Sequence, residues 1–273
     1  MNEIRVAVVQ MNPRLAEVSE NLIQMSDFMD RICSEQRIDL VVFPELVTTG
    51  YECGVRFTDL AEWVPGPTAN LLAQRAAEFN THIAFGMVVK EKVESILYNA
   101  AILIGPDGEL IGQYRKVHLR GEERLAFRPG YRYPVLEAGF GQVGFLIGWD
   151  LAFPEVARSL VLDGAELLIV CANWAQPDAE EWRTYVLSRA YENSLFVVAA
   201  NRVGEEYTYS FFGDSMVVGP RGELYSSVEE GEEGGEGYCV ARIDLDSVRK
   251  HREELQLLQC RQPQTYRAVV RRY

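Results

Sequence analysis

Two hydrophobic periods alternate along this chain and predict an α/β protein. Short runs of branched apolar residues bounded by Gly, Pro or Asn are typical of buried strands, whereas apolar residues three or four positions apart are typical of amphipathic helices. The strands predicted in this way cover residues 4–10, 40–43, 83–89, 143–147, 165–171, 195–200 and 238–243. The predicted helices cover residues 14–36, 65–80, 154–162, 180–193 and 245–258.

Two predicted hairpins interrupt this alternation. Gly105-Pro106-Asp107-Gly108 is a strong turn signal, and Pro220-Arg221 marks a second turn. The strands that flank these turns are predicted at 100–104 with 110–114, and at 213–219 with 222–227.

A Glu/Gly run at 228–237 is predicted to be an exposed loop, and it is the only low-complexity segment that interrupts the chain. We therefore expect a single domain over residues 1–273, with two packed sheets covered by helices. The basic, aromatic tail that ends the chain, from about residue 260 to 273, is interpreted as an arm for oligomer contacts.

Composition narrows the possible partners. The 273 residues are 48% hydrophobic and 25% charged, with a net charge of −13, which argues against binding to nucleic acid or to an anionic membrane surface. The N-terminus begins directly with a strand pattern and shows no signal peptide, and no apolar run is long enough to span a bilayer. The five cysteines and three histidines show no zinc spacing. We expect a cytoplasmic protein without a metal or cofactor.

The stretch around which the chain is organised is 141–155, GQVGFLIGWDLAFPE. A buried strand ends abruptly at Gly148, and Pro154 begins a helix soon afterwards. Such a strand-to-helix corner commonly holds a nucleophile beside free backbone N–H groups. Gly148 has no side chain that could attack a substrate.

Several further residues could carry chemistry, each with a simpler interpretation. Glu45 follows a buried strand and could be a general base, or a capping or ion-paired carboxylate. Lys116 could stabilise an oxyanion, although a surface lysine is the default. Glu122 and Glu123 lie in a polar loop, where solvated carboxylates are expected. Trp174 could line a pocket or fill the core.

P-loop, zinc-hydrolase and serine-hydrolase motifs are absent, because the chain has no G-x-x-x-x-G-K-[ST], HEXXH or G-x-S-x-G. One G-x-G-x-x-G occurs at 139–144, but it leads into the predicted strand 143–147 instead of opening a helix, so it does not support a dinucleotide site. Taken together, however, the candidate segments resemble the nitrilase superfamily of carbon–nitrogen hydrolases. The resemblance spans nearly the whole chain and rests on three separated motifs in the right order. These are Phe43-Pro44-Glu45-Leu46, Tyr114-Arg115-Lys116-Val117-His118-Leu119, and 144–155 with Trp149-Asp150 and Phe153-Pro154-Glu155.

The resemblance implies a four-layer α-β-β-α sandwich that assembles into a homodimer or higher homo-oligomer, with helices 154–162 and 180–193 as candidate interfaces. It also implies a Glu–Lys–Cys mechanism. Glu45 would be the general base, and Lys116 would stabilise the tetrahedral intermediate together with the Trp149 N–H. Glu123, or less well Glu122, would be an additional carboxylate that supports proton transfer.

The departure from the family pattern is Gly148, because the superfamily has Cys at this position. Covalent catalysis should then be lost almost completely. One explanation is an engineered replacement that traps substrate in an active enzyme, and the other is a natural pseudo-enzyme that only binds. Retention of Glu45, Lys116 and Glu123 favours the first, because a chain freed from catalysis need not keep them.

The loop after Glu123 and the tryptophan beside position 148 resemble amidases more than true nitrilases. A small or medium primary amide is the expected substrate, with Tyr51, Trp149, Asn173 and Trp174 as the substrate-binding residues. The alternatives are a nitrilase or an N-carbamoyl amino acid amidohydrolase of the same superfamily. The last of these would need a cationic anchor, for which Arg202 is one candidate.

Overall fold

The computed structural model describes residues 2–91, 96–228 and 235–271. Its strands are β1 (Glu3–Gln10), β2 (Leu40–Val42), β3 (His82–Lys90), β4 (Leu97–Ile104), β5 (Leu110–Arg115), β6 (Val135–Ala138), β7 (Gly141–Ile147), β8 (Leu167–Ala172), β9 (Phe196–Asn201), β10 (Val203–Glu205), β11 (Ser210–Phe212), β12 (Met216–Val218), β13 (Leu224–Ser227) and β14 (Gly237–Asp244). Its α-helices are α1 (Val18–Glu35), α2 (Phe57–Leu60), α3 (Pro67–Phe79), α4 (Glu123–Ala126), α5 (Pro154–Leu162), α6 (Ala179–Asn193) and α7 (Asp246–Leu255).

Twelve of the described strands form two six-stranded mixed sheets. The first has the order β14-β1-β2-β3-β4-β5 and the second the order β13-β12-β9-β8-β7-β6. In each sheet a central trio is parallel, β1-β2-β3 in one and β7-β8-β9 in the other. The outer strands pair with these trios in the antiparallel direction. The carboxyl ends of three parallel strands in each sheet therefore lie on one edge, where loops can form a site.

The two sheets face each other across an apolar layer, and helices cover their outer faces. On β1, Val6 and Val8 point between the sheets, while Ala7 and Val9 point towards the helices α1 and α3. This alternation follows from the two-residue period of a strand. Helices α5 and α6 cover the second sheet, where Trp182 is fully buried. The predicted α-β-β-α sandwich is confirmed.

Element boundaries differ from the sequence predictions where side chains hold the backbone in turns. The first helix begins at Val18 rather than at residue 14, because the Asn21 side chain bonds both the N–H and the carbonyl of Arg14 and holds that segment as a turn. The last long helix ends at Leu255, where Gln256 adopts a left-handed φ of 52°. Part of the predicted Glu/Gly loop, residues 229–234, lies outside the described residues.

Five of the described strands and α-helices were not predicted from the sequence: β6, the two strands β10 and β11 of a ribbon, and the short helices α2 and α4. Glu123 thus begins a helix rather than lying in an irregular loop. Within the described residues, no helix has both the length and the apolar character needed to cross a membrane.

Candidate active site

Two carboxylates and one ammonium group meet in a buried cluster between the sheets. The Lys116 Nζ atom lies 2.7 Å from Glu45 Oε1 and 2.6 Å from Glu123 Oε1. Each of these three side chains is at most 3% exposed. Sequence reasoning took all three as candidates for separate reasons, and the fold brings them into direct contact.

The ends of strands β2 and β5 position two members of the cluster, and a backbone hydrogen bond fixes the third. Glu45 follows β2, and its backbone packs so closely on β3 that a Cβ at Gly86 would lie 2.6 Å from Glu45 Cα. Glycine is therefore required at position 86. Lys116 comes directly after β5, and its N–H donates to the Asn99 carbonyl at 2.8 Å. Glu123 is fixed by its second oxygen, which accepts the Arg120 N–H at 2.9 Å.

A fourth member of the cluster, Asn99, was missed by sequence reasoning. Its Nδ2 group donates to Glu45 Oε1 at 2.7 Å and to Glu123 Oε1 at 3.3 Å. One amide group carries two N–H donors, so it can hold both carboxylates at once. The available signal was a lone amide side chain inside the otherwise apolar strand β4.

Burial and charge act against each other in this cluster. Loss of solvation raises the pKa of Glu45 to about 7, and the Glu123 charge adds to the rise, while Lys116 opposes it. For Lys116, burial alone would lower the pKa, but the carboxylates of Glu123 and Glu45 outweigh burial and raise it. Lys116 is thus a fixed cation, and Glu45 is a carboxyl group able to exchange a proton near neutral pH.

Gly148 lies at the wall of this cluster. A Cβ placed on Gly148 with ideal geometry would lie 2.6 Å from Glu45 Oε2 and 2.9 Å from Lys116 Nζ. Any side chain at this position would therefore point between the carboxylate and the ammonium group. Gly148 has a φ of 46°, a left-handed conformation that strains other residues.

Asp150 holds the corner in place. This fully buried carboxylate accepts the Tyr114 hydroxyl at 2.7 Å, the His118 N–H at 2.9 Å and the Ile147 N–H at 3.2 Å. The corner after β7 is thereby attached to the segment after β5 that carries Lys116. Trp149 lies in the 3-10 turn Gly148–Ala152, whose first N–H groups have no partner within the turn.

A cavity of about 290 Å³ opens from the cluster, and the four predicted substrate-binding residues Tyr51, Trp149, Asn173 and Trp174 all line it. The Asn173 N–H donates to Glu45 Oε2 at 2.9 Å. Both polar atoms of the Asn173 side chain are buried and have no hydrogen-bond partner among the described residues. This amide is therefore available to a ligand.

Among the described residues, seven more line the cavity without having been predicted, and Tyr209, Arg120 and Asp178 are the three with aromatic or charged side chains. Tyr209 packs edge-on against Tyr51, with ring centroids 5.3 Å apart. The Arg120 guanidinium lies 5.7 Å from the centroid of the Trp149 ring and bonds Asp178 at 3.3 Å. These side chains come from separate loops, so the sequence offered no pattern that joins them.

Two other residues considered from the sequence, Glu122 and Arg202, lie elsewhere, as does the nearby thiol of Cys171. Glu122 is exposed and does not line the cavity. Arg202 is fully buried and paired with Glu206, so the suggestion that it anchors a substrate carboxylate is wrong. Cys171, the last but one residue of β8, pairs with Ile147, is fully buried and does not line the cavity; burial and the Glu45 charge raise its pKa. Within the described residues there is no cluster of three or more His, Cys, Asp or Glu side chains that could hold a metal ion.

Comparison with known proteins places this geometry in a family. The sequence model of the carbon–nitrogen hydrolases matches residues 5–253. The chain belongs to the carbon–nitrogen hydrolase family. Membership of this family, which is the nitrilase superfamily recognised from the three motifs, is thereby confirmed.

Individual carbon–nitrogen hydrolases match over nearly the whole chain. A probable nitrilase of Schizosaccharomyces pombe is 42% identical over 249 residues, which cover 90% of this chain and 92% of the relative. The crystal structure of a carbon–nitrogen hydrolase from Helicobacter pylori superposes with a TM-score of 0.90 at 25% identity, covering 99% of each chain. A mutant amidase from Nesterenkonia sp. AN1, with the acetamide moiety of fluoroacetamide added at its active-site cysteine, superposes with a TM-score of 0.84 at 26% identity, covering 97% of this chain and 96% of that one.

Proposed function

We propose that this chain carries the active site of an amidase that hydrolyses a small or medium primary amide to a carboxylic acid and ammonia, with Gly148 in the place of the nucleophilic cysteine. The observation that carries the proposal is the position of Gly148, whose Cβ would point between Glu45 Oε2 and Lys116 Nζ. The Nesterenkonia amidase has an active-site cysteine, which supports a thiol as the missing group.

Each retained residue has a role once a thiol is present. Glu45 takes the thiol proton while sulfur adds to the amide carbon, and Lys116 with the Trp149 N–H stabilises the oxyanion. Glu45 then gives this proton to the leaving nitrogen, the C–N bond breaks, and ammonia departs. Water next adds to the thioester and loses its proton to Glu45, the C–S bond breaks to release the acid, and Glu45 returns the proton to the departing sulfur.

A pKa of about 7 suits Glu45 to this work, because the group must both accept and return a proton near neutral pH. Glu123 shares the Lys116 ammonium with Glu45 and fixes its position. Asn173, with both side-chain polar atoms unpartnered, is proposed to bind the substrate's amide group. The Tyr51, Trp149 and Trp174 rings would pack on its acyl chain.

With glycine at position 148, the chain lacks the nucleophilic sulfur atom that covalent catalysis requires. We propose that it binds the amide but, because the thiol route is closed, turns it over more slowly than the same chain with Cys at position 148, by a factor on the order of 10⁴ or more. The deficit follows from Gly148 alone, because Glu45, Lys116, Glu123 and Asn99 retain their mutual contacts.

The test measures ammonia release from a panel of primary amides, nitriles and N-carbamoyl amino acids. It compares the unsubstituted chain, with Gly148, with the Gly148→Cys variant. We expect release only from Gly148→Cys and only from amides. Gly54→Cys is a matched control, since Gly54 also has a left-handed φ, 54°, but lies on an open surface. The control adds a thiol outside the site and should remain inactive.

The other outcomes separate the alternatives. Turnover of nitriles or carbamoyl compounds in preference to amides would move the activity to the nitrilase or carbamoylase branch. Silence of Gly148→Cys on all three classes, with the fold intact by circular dichroism, would favour a binding protein on a hydrolase scaffold. Assembly into a homo-oligomer through α5, α6 and the arm at 260–273, and a cytoplasmic location, stay predictions.

A further inference from the structure

Without a side chain at position 148, Glu45 faces the cavity directly. Its Oε2 atom lies 2.6 Å from the point where a Cβ of residue 148 would be. Glu45 and Gly148 line the same cavity of about 290 Å³. One water molecule takes up about 30 Å³, so the cavity has room for a water and a small acyl group together.

The hydrogen bonds of Glu45 leave one acceptor position for such a water. The Oε1 atom accepts from both Lys116 and Asn99 at 2.7 Å, whereas the single donor to Oε2 among the described residues is the Asn173 N–H, at 2.9 Å. A carboxylate oxygen has two lone pairs, so Oε2 has one left for a water held in the cavity, which Glu45 lines.

The electrophile would be held by groups already on the wall. Within the part of the chain that the structure describes, Lys116 uses two of its three N–H donors, on Glu45 and Glu123, which leaves one. Together with the N–H groups at the start of the Gly148–Ala152 turn, it can receive a carbonyl oxygen. The carbonyl carbon would then lie beside the water on Glu45.

We propose that the unsubstituted chain, with Gly148, is itself a slow hydrolase of activated acyl compounds such as aryl esters, in which water replaces the thiol. The water oxygen bonds to the carbonyl carbon and its proton passes to Glu45, while the C=O electron pair moves to oxygen beside Lys116. The pair returns, the C–O bond to the aryl group breaks, and the phenolate leaves. The proton on Glu45 then passes to solvent.

Activated esters are the substrate class because no proton must reach the leaving group in the slow step. A phenolate departs unprotonated, whereas an amide nitrogen leaves only when protonated. A single displacement therefore asks of Glu45 only that it accept a proton. The inference rests on the proposed function in one respect, the oxyanion site at Lys116.

The reaction should depend on pH through Glu45. Four titratable groups influence this carboxyl: Lys116, Glu123, Tyr51 and Cys171. Lys116, whose pKa is raised, keeps its charge at neutral pH, and Tyr51 and Cys171, whose pKa values are also raised, stay neutral. The rate should therefore rise as Glu45 loses its proton, around pH 7, and reach a plateau above it.

The experiment measures p-nitrophenyl acetate hydrolysis by the purified unsubstituted chain, by Glu45→Gln and by Glu122→Gln. We expect the unsubstituted chain to hydrolyse the ester faster than buffer does. In Glu45→Gln the rate above that of buffer should fall about 100-fold or more. The exposed Glu122 is the matched control and should keep the full rate. Cys260→Ser should also keep it, because this exposed thiol is not the nucleophile.

Intact-protein mass spectrometry during turnover provides a second measurement, because it detects any acyl group bound to the protein. The proposal predicts no acylated protein and no burst, since water attacks directly. A rate equal to the buffer's, a rate unchanged in Glu45→Gln, or a burst with an acyl group on the protein would each overturn it. If Gly148→Cys releases ammonia from amides while the unsubstituted chain leaves the ester intact, the inference fails and the proposed function stands.

Discussion

The contact between position 148 and Glu45 can be measured as stability. Replacing Gly148 by Ala puts a Cβ 2.6 Å from Glu45 Oε2 and 2.9 Å from Lys116 Nζ. The left-handed φ of 46° adds strain. The carboxylate cannot move away freely, because Lys116, Asn99 and the Asn173 N–H all hold it.

The magnitude is the sum of two costs. A left-handed conformation costs an L-residue about 1–2 kcal/mol, and inserting a methyl group into a packed site costs about 1–3 kcal/mol. Gly148→Ala should therefore lower the free energy of unfolding by about 2–5 kcal/mol. For a chain of this size that corresponds to a fall in Tm on the order of 10 °C.

Gly54→Ala separates the two costs. Gly54 has a φ of 54°, and no atom lies within 4 Å of its Cβ position, so only the backbone cost applies. Thermal and urea unfolding of both variants should show a loss of about 1–2 kcal/mol for Gly54→Ala and a larger loss for Gly148→Ala. Equal losses would refute the contact with Glu45 and, with it, the placement of the side chain at 148.

Three further predictions concern the groups around the cluster. Lys116→Met leaves Glu45 and Glu123 buried without their cation and should cost about 3–5 kcal/mol in urea unfolding at neutral pH, with a smaller loss in acid. Tyr114→Phe removes the hydroxyl donor to Asp150 and should cost about 1.5–3 kcal/mol in the same assay; an unchanged midpoint would contradict it. Because the pKa of Glu45 is raised on folding, to about 7 from 4.5, its contribution to stability is complete below the unfolded pKa and is lost as the pH rises through 7. Between about pH 5 and about pH 8, the free energy of unfolding measured in urea should fall less for Glu45→Gln than for the unsubstituted chain. Parallel plots of this free energy against pH would contradict the prediction.

The sequence predicted best what a short segment determines alone. The strands before Glu45 and Gly148 are apolar runs with a sharp end, and such ends mark one sheet edge. The distances within the cluster depend on two sheets packing face to face, which no local pattern encodes. The motif resemblance, rather than periodicity, therefore linked Glu45 to Lys116 before the structure did.

Asn99 and Arg202 show where sequence reasoning had no basis. Asn99 looks like an ordinary strand residue until both carboxylates that it bonds are in place. Arg202 was a plausible substrate anchor by charge, but its partner Glu206 lies directly after β10, in the loop of a ribbon that the pattern did not predict. Polar pairing across unpredicted loops decides which charges reach a cavity and which are buried.

Reactivity of a thiol at position 148 is the most direct test of the claim that Gly148 occupies the nucleophile's place. Gly148→Cys and the unsubstituted chain would each be treated with one equivalent of iodoacetamide at neutral pH. Peptide mapping by mass spectrometry would then identify the modified cysteines. The account predicts one acetamide moiety at position 148, added faster than at any of the five native cysteines and slowed when Lys116→Met is combined with Gly148→Cys. Labelling that falls first on Cys260, with position 148 unmodified, would contradict it.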